Sequence, residues 1–465
     1  MLAADCLLSS HPSTELHPTR PPRGRLSAHV YLGANHSAVR QGNRATIFRA
    51  IRALGPMARV ELARRTRLNP ATVTNIVDEL IAAGLVSETG RGSSRVGRKP
   101  ILLEVVPSAR LTLGIDIARS AMTGAIVDLG GQIVERIDQP AGPWLTSDIV
   151  LESVADVIAR LLARLSPDDQ SAVVGIGIGV PGPLSGPSGP GLDTPSFRAW
   201  DGMALESSVA ARFRLPTRVD NNGNTSALGE LWFGAGQGVD NFILLNVGTG
   251  VGAALVLDGD LYRGDHGLAG ELGHMSVSAD GLQCACGNRG CLEMYISAPR
   301  VLAAVRAALA SGEPSVVRST LEAGGDLTIT TLVGAVRSGD PLATRVLGDV
   351  AHYLAAGIVS IAHAFDPHLI LIGRELAIAG DVLLDPVRKE VQRRVLPPLR
   401  QRVRIEVAAV SDAPVVGAAT LAMRDFFQAP LANRSPASWS EAVSRGSASP
   451  LHLLPNSDSA TSQPR

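Results

Sequence analysis

Residues Val173-Val174-Gly175-Ile176-Gly177-Ile178-Gly179-Val180-Pro181-Gly182-Pro183 form an apolar run, threaded with glycine and stopped by a Pro-Gly-Pro turn. A short β-branched run bounded by turn residues reads as a buried strand, here over 173–179. Similar runs lie at 111–116, 242–247 and 369–372. Between them, apolar residues recur at helical spacing over 148–165, 299–309 and 341–364. Strands alternating with helices and glycine turns predict an α/β domain, and its limits are read at 108–428. The Pro, Ser, His and Arg rich residues 1–40 read as a flexible arm, and the Ser, Pro and Asn rich residues 429–465 as a disordered tail.

Residues 41–105 have a different character. Ile47, Ile51 and Leu54 repeat at helical spacing until Gly55-Pro56. Val60, Leu62 and Ala63 mark a second short helix, and Asn69-Pro70 opens a third, with Asn69 as N-cap and Pro70 in the first turn. In that third helix Val73, Ile76, Val77 and Leu80 face inward, and Gly84 closes it. Two strands follow, 85–87 and 101–105, around a polar loop with Arg91, Arg95, Arg98 and Lys99. The order is that of a winged helix-turn-helix. Asn69, Ala71, Thr72, Thr74 and Asn75 lie where a recognition helix meets base edges, and the cations of the wing can neutralise phosphates. The turn before the third helix holds Arg67 where glycine often supplies a positive φ. A protein-binding winged helix or a plain three-helix bundle is the alternative, and the basic wing argues against both.

Charge supports this division. The 465 residues balance 43 Lys and Arg against 43 Asp and Glu, yet residues 40–104 hold twelve of the former and five of the latter. A basic segment on an acidic body suggests a nucleic-acid-binding module, although a solvated basic face gives the same count. No apolar run reaches the roughly 18–20 residues of a membrane span, and the N-terminus lacks the zones of a signal peptide. The expectation is a cytoplasmic protein with no membrane partner. Only Lys99 and Lys389 are lysines.

Cys284, Cys286 and Cys291 cluster within eight residues in a chain with four cysteines. Such a cluster reads as metal binding, with His274 as the natural fourth ligand. Three thiolates and an imidazole suit zinc, and four protein ligands make a structural site. The alternative is three unligated buried cysteines.

Five motifs in order now carry a resemblance. They are Gly-Ile-Gly-Ile-Gly-Val-Pro-Gly-Pro at 175–183, Val-Asp-Asn-Asn-Gly-Asn at 219–224, Gly-Thr-Gly-Val-Gly at 248–252, Ala-Gly-Glu-Leu-Gly-His at 269–274, and the cysteine cluster ending in Cys291-Leu292-Glu293. From about Asn43 to Phe427 the chain resembles ROK proteins, and with its helix-turn-helix it looks like their sugar-repressor branch. The resemblance implies an actin/hexokinase-like (ribonuclease H-like) fold of two α/β lobes around a ligand cleft. It also implies that Asn221, Asn222, Glu271, His274 and Glu293 hold a sugar or sugar phosphate. Carboxylates, amides and an imidazole suit hydroxyls that both donate and accept. His274 would then serve zinc with one ring nitrogen and the sugar with the other. Without the family context, Glu271 and Glu293 would read as surface carboxylates.

The kinase pattern of the family breaks at three places. In Asp116-Ile117-Ala118-Arg119-Ser120, Ala118 and Arg119 replace two glycines of a phosphate loop, whose backbone must approach oxygens closely. Asn222 stands at the general-base position, and an amide cannot take a proton at neutral pH, a loss of roughly 10²–10⁴ in rate. Arg374 follows Gly373 where the family usually has a second glycine. The expectation is a sugar-responsive transcriptional repressor without kinase activity. It binds operator DNA as a homodimer or homotetramer. The alternatives are a kinase that also binds DNA and a regulator controlled by a protein partner.

Overall fold

The computed structural model describes residues 36–91, 100–118, 121–140, 147–182 and 202–428. The expected arm over 1–35, the wing residues Arg95, Arg98 and Lys99, the loop residues Arg119 and Ser120, and the expected tail lie outside them. Arg91 ends a strand, with its side chain likewise outside the described set.

The N-terminal unit packs α1 (His36–Leu54), α2 (Arg59–Thr66) and α3 (Pro70–Ala82) against strands β1 (Met57–Ala58), β2 (Val86–Arg91) and β3 (Ile101–Val105). The three strands form one sheet in the order β1-β3-β2. α1 begins at His36, inside the stretch expected to be a flexible arm and well before Ile47, the first apolar residue of the helical spacing. Its extra turns are held where Arg40 pairs with Glu79 of α3. Gly55 and Gly84 take φ of 75° and 71°, and each ends a helix. Arg67 takes φ of 56°, so the turn before α3 does need the left-handed conformation that the sequence fills with arginine.

Residues 111–428 form two lobes. The first sheet is β6-β5-β4-β7-β8, from β4 (Leu111–Ile117), β5 (Ala121–Asp128), β6 (Ile133–Pro140), β7 (Val173–Val180) and β8 (Thr217–Asn221). α4 (Ser147–Leu162), α5 (Pro167–Ala172) and α6 (Gly202–Phe213) accompany it. α7 (Asn222–Phe233) then leads to the second sheet, whose strands are β9 (Phe242–Val247), β10 (Val251–Leu257), β11 (Asp260–Tyr262), β12 (Leu369–Gly373) and β13 (Arg404–Val407), in the order β11-β10-β9-β12-β13. In both sheets antiparallel hairpin strands continue into parallel pairs, β4 with β7 and β9 with β12. Parallel strands are covered on both faces, which explains the continuous apolar runs of the sequence.

The helices of the second lobe are α8 (Glu293–Ile296), α9 (Ala298–Ala310), α10 (Val316–Glu322), α11 (Ile329–Arg337), α12 (Pro341–Phe365) and α13 (Asp381–Arg394). α12 is long and apolar enough to cross a membrane, but 61% of its most apolar window is buried inside the protein. It is a core helix, packed through Leu347, Leu354 and Ile358.

The last helix, α14 (Ala413–Gln428), returns to the first lobe and packs on β4, β7 and α7. The approach needs glycine: a Cβ at Gly177 would collide with the carbonyl of Ala418, and one at Gly417 with that of Thr225. α14 also reaches the N-terminal unit. Phe427 stacks on Phe48 of α1 at 3.9 Å, and Arg44 donates to the Phe427 carbonyl at 2.8 Å.

Candidate functional site

The cleft between the lobes begins at the junction of β8 and α7. Asn221 caps α7: its side-chain oxygen accepts from Gly223 N at 2.7 Å, and its amide nitrogen donates to the Gly182 carbonyl at 2.7 Å. This fixes Asn221 against the Pro181-Gly182 turn that closes β7. Asn222 follows in the first turn of α7 and also lines the cleft. The second lobe supplies Glu271, His274 and Glu293, all half-buried. Glu293 accepts from Val251 N at 2.8 Å, which ties it to the turn between β9 and β10. Burial raises the Glu271 pKa; nearby His274 pulls it down and Glu293 pushes it further up. The five residues named from sequence thus line one cavity of about 170 Å³. Its rim can offer carboxylates, amides and an imidazole to a polyol.

Two ion pairs across the lobes left no signal as pairs in the sequence, although Asp116, Asp220 and Arg374 each stand in its motifs or departures. Asp116 sits at the end of β4, buried, with Oδ1 unpartnered among the described residues, and Arg374 approaches its other oxygen at 3.7 Å. Arg374 holds φ of 65°, a conformation that accounts for a glycine there and that arginine adopts at a cost. A second ion pair across the lobes joins Arg263 to Asp220, with Nε at 3.1 Å, and Asn224 donates to the same carboxylate at 2.8 Å. Asp220 is therefore committed to the protein, although it stands inside the 219–224 motif. Glu375 lies against Gly248, where a Cβ would strike its carboxylate.

Behind the cleft lies a cluster of side chains that could hold a metal ion. Donor atoms of His274, Cys284, Cys286 and Cys291 all fall within 4.8 Å of one another. Cys284 Sγ is 3.7 Å from His274 Nδ1, and Cys286 Sγ is 3.6 Å from Cys291 Sγ. Tetrahedral zinc, with bonds of about 2.3 Å to sulfur and about 2.0 Å to nitrogen, sets donors roughly 3.5–3.8 Å apart, so the residues fit. The chain closes around them at Gly290, φ 69°, where a side chain would collide with the Ser278 carbonyl. Burial first, and the neighbouring thiols next, push Cys291 up to about 12. Three thiolates this close need a cation in order to ionise together. Nδ1 is the imidazole nitrogen that faces the thiols, and the same ring lines the cleft.

On the N-terminal unit, Asn69, Ala71, Thr74 and Asn75 are exposed and Thr72 is half-buried, while Val73, Ile76, Val77 and Leu80 form the core. Asn69 accepts from Ala71 N at 2.9 Å, so its oxygen is engaged as the N-cap. The basic excess is divided. Arg59 pairs with Asp78 and Glu88, Arg64 and Arg65 pair with Glu61, and Arg44 turns inward to α14. The outward cations are fewer than composition suggests, and Arg67 remains exposed beside α3.

Residues 112–425 match the ROK family. The chain is 32% identical over 399 residues to a putative xylose repressor of Caldicellulosiruptor sp. (strain Rt8B.4), covering 85% of this chain and 99% of that protein. Among solved structures, it resembles a ROK family transcriptional regulator, a homologue of the E. coli MLC protein, with TM-score 0.69 and 28% identity over 84% of this chain and 98% of that one. It also resembles a ROK family glucokinase from Streptomyces griseus in complex with glucose and AMPPNP, with TM-score 0.59 and 31% identity over 68% of this chain and 99% of that one. The fold is the two-lobed actin/hexokinase-like arrangement preceded by a winged helix-turn-helix.

Proposed function

The chain belongs to the ROK family, and from that premise we propose that it is a sugar-responsive, DNA-binding transcriptional repressor whose ROK domain no longer phosphorylates its sugar. The observation that carries the reading is the union in one chain of an exposed recognition-type helix, α3, with a cleft that gathers Asn221, Glu271, His274 and Glu293. The relative named as a putative xylose repressor and the solved ROK transcriptional regulator are both matched over 84–85% of this chain.

In this reading Ala71, Thr72, Thr74 and Asn75 read bases in a major groove. Asn69 sets the helix terminus, and Arg91, Arg95, Arg98 and Lys99 meet phosphates. A homodimer or homotetramer presents two such modules to paired half-sites in the cytoplasm. Asn221, Asn222, Glu271, His274 and Glu293 hydrogen-bond the sugar. His274, Cys284, Cys286 and Cys291 hold a structural zinc ion, which fixes the imidazole tautomer so that Nε2 serves the cleft. Loss of phosphoryl transfer follows from Asn222, which has no basicity, and from Arg374, which pairs with Asp116 at the cleft floor. The lobes close on the sugar, the modules change their spacing, and operator affinity falls.

One observation favours a second reading, a kinase that also binds DNA: the Gly248–Gly252 turn retains its glycines and lines the cleft. ATP-dependent phosphorylation of a sugar, abolished by Glu271→Ala, would establish that reading. The leading one is tested by fluorescence anisotropy on DNA taken from upstream of the gene, with a panel of sugars that starts with xylose. Tight binding released by one sugar is expected. Binding indifferent to every sugar would refute sugar control and point to a protein partner.

A further inference from the structure

A second cavity, of about 580 Å³, lies between the N-terminal unit and the body. Its volume is in the range of small-molecule sites, which favour junctions between domains. One wall is the end of α1 with β3. The other is the β5–β6 turn, the end of α7 and the segment before α14. Arg52 of α1 projects into it from a half-buried position. Its guanidinium lies over the rings of Trp232, at 4.9 Å, and Phe233, at 4.4 Å. Its Nε is buried without a hydrogen-bond partner among the described residues. Burial, and then nearby Arg49, lower its pKa to about 9, and no carboxylate among the described residues opposes them.

Two carboxylates border the cavity, and neither neutralises Arg52. Asp412 is paired with Arg136 at 2.5 Å. Glu104 is exposed. Gln132 and Ser411 offer an amide and a hydroxyl at the rim. The rings hold this cation in part, but desolvation and a neighbouring cation leave it short of counter-charge, and an arriving anion would supply it.

We propose that this cavity is a second ligand site, separate from the sugar cleft, for a compact organic anion whose phosphate or carboxylate group binds Arg52. The anion would touch both the N-terminal unit and the body and so fix how one sits on the other. It would also bear on α7, which starts at Asn222 in the cleft and ends at Phe233 beneath Arg52, roughly 16 Å away at 1.5 Å per residue.

The test is isothermal titration of the full-length protein at constant ionic strength. Glycerol 3-phosphate serves as the phosphate probe and citrate as the carboxylate probe. The expected result is saturable one-site binding of one probe, which identifies the group. Arg52→Gln should weaken it about tenfold or more, the effect of removing a charge-assisted hydrogen bond. Ser411→Tyr, which fills the cavity from its exposed rim, should weaken it independently. Glu293→Gln, in the sugar cleft, should leave it unchanged, so failure here is distinct from failure of the sugar reading. Absence of saturation by both probes up to about 10 mM, a Kd beyond any useful affinity, would overturn the proposal. So would unaltered binding in both cavity variants, or loss of binding in Glu293→Gln.

Discussion

Replacing Asp116 by asparagine should make this protein more stable at neutral pH, and the gain should shrink in acid. Asp116 is 6% exposed at the end of β4, and one of its oxygens has no partner among the described residues. Burial pushes its pKa from 3.8 up to about 6, against the opposing pull of Arg374. The folded protein therefore binds this proton more tightly than the unfolded chain does. Stability is lost as pH rises through about 6 and regained as pH falls toward about 4. A shift of about 2 units corresponds to about 3 kcal/mol, an upper limit on the gain, because the variant leaves Arg374 unpaired. The pH-dependent part is free of that term. Linkage gives the wild type about 1.4 kcal/mol more stability at about pH 5 than at about pH 7.5, a gain that Asp116→Asn lacks. Urea unfolding followed by circular dichroism, for both proteins at both pH values with zinc present, measures the difference, and contributions from all other groups cancel. An advantage of Asp116→Asn that is constant, or that grows in acid, would refute the account of this carboxylate.

Further predictions follow from the other parts. Cys291→Ser should reduce bound zinc from about one equivalent to near zero by elemental analysis. It should also weaken sugar binding about 10–100-fold in calorimetry, because His274 loses its orientation; full sugar affinity without metal would separate the two sites. Thr74→Ala and Asn75→Ala should each cost about 1–3 kcal/mol of operator affinity and relax one base position, with sugar affinity unchanged. Unaltered base preference in a binding-site selection would take α3 out of the groove. Asn69→Ala should lower stability by about 1 kcal/mol through loss of the cap, measured by thermal unfolding, and no loss would mean that the Asn69 to Ala71 hydrogen bond contributes nothing.

Much of the architecture is legible because it is local. The 173–183 run, the N-cap at Asn69 and the positive φ at Arg67 each follow from neighbouring residues, and the elements lie within a few positions of their expected limits. The start of α1 was harder to see, since Arg40 is held by an ion pair to Glu79 on another helix. At the site, the motifs and the cysteine spacing pointed to residues that do converge. Pairs far apart in the chain left no periodic trace. Arg374 with Asp116, Arg263 with Asp220, and Arg52 on Trp232 become readable only when the lobes and the N-terminal unit are in place. Composition also overstated the basic face, because several arginines are committed to internal ion pairs or to α14.

The measurement that bears most directly on the central claim is reciprocity. The releasing sugar is titrated by calorimetry into the free protein and into the protein saturated with its operator DNA. If one chain couples the cleft to the recognition helix, the factor by which DNA weakens sugar binding must equal the factor by which sugar weakens DNA binding, in the range of about 5–150-fold. Equal sugar affinity in the two titrations would contradict the account and leave the cleft and the DNA-binding unit as independent parts.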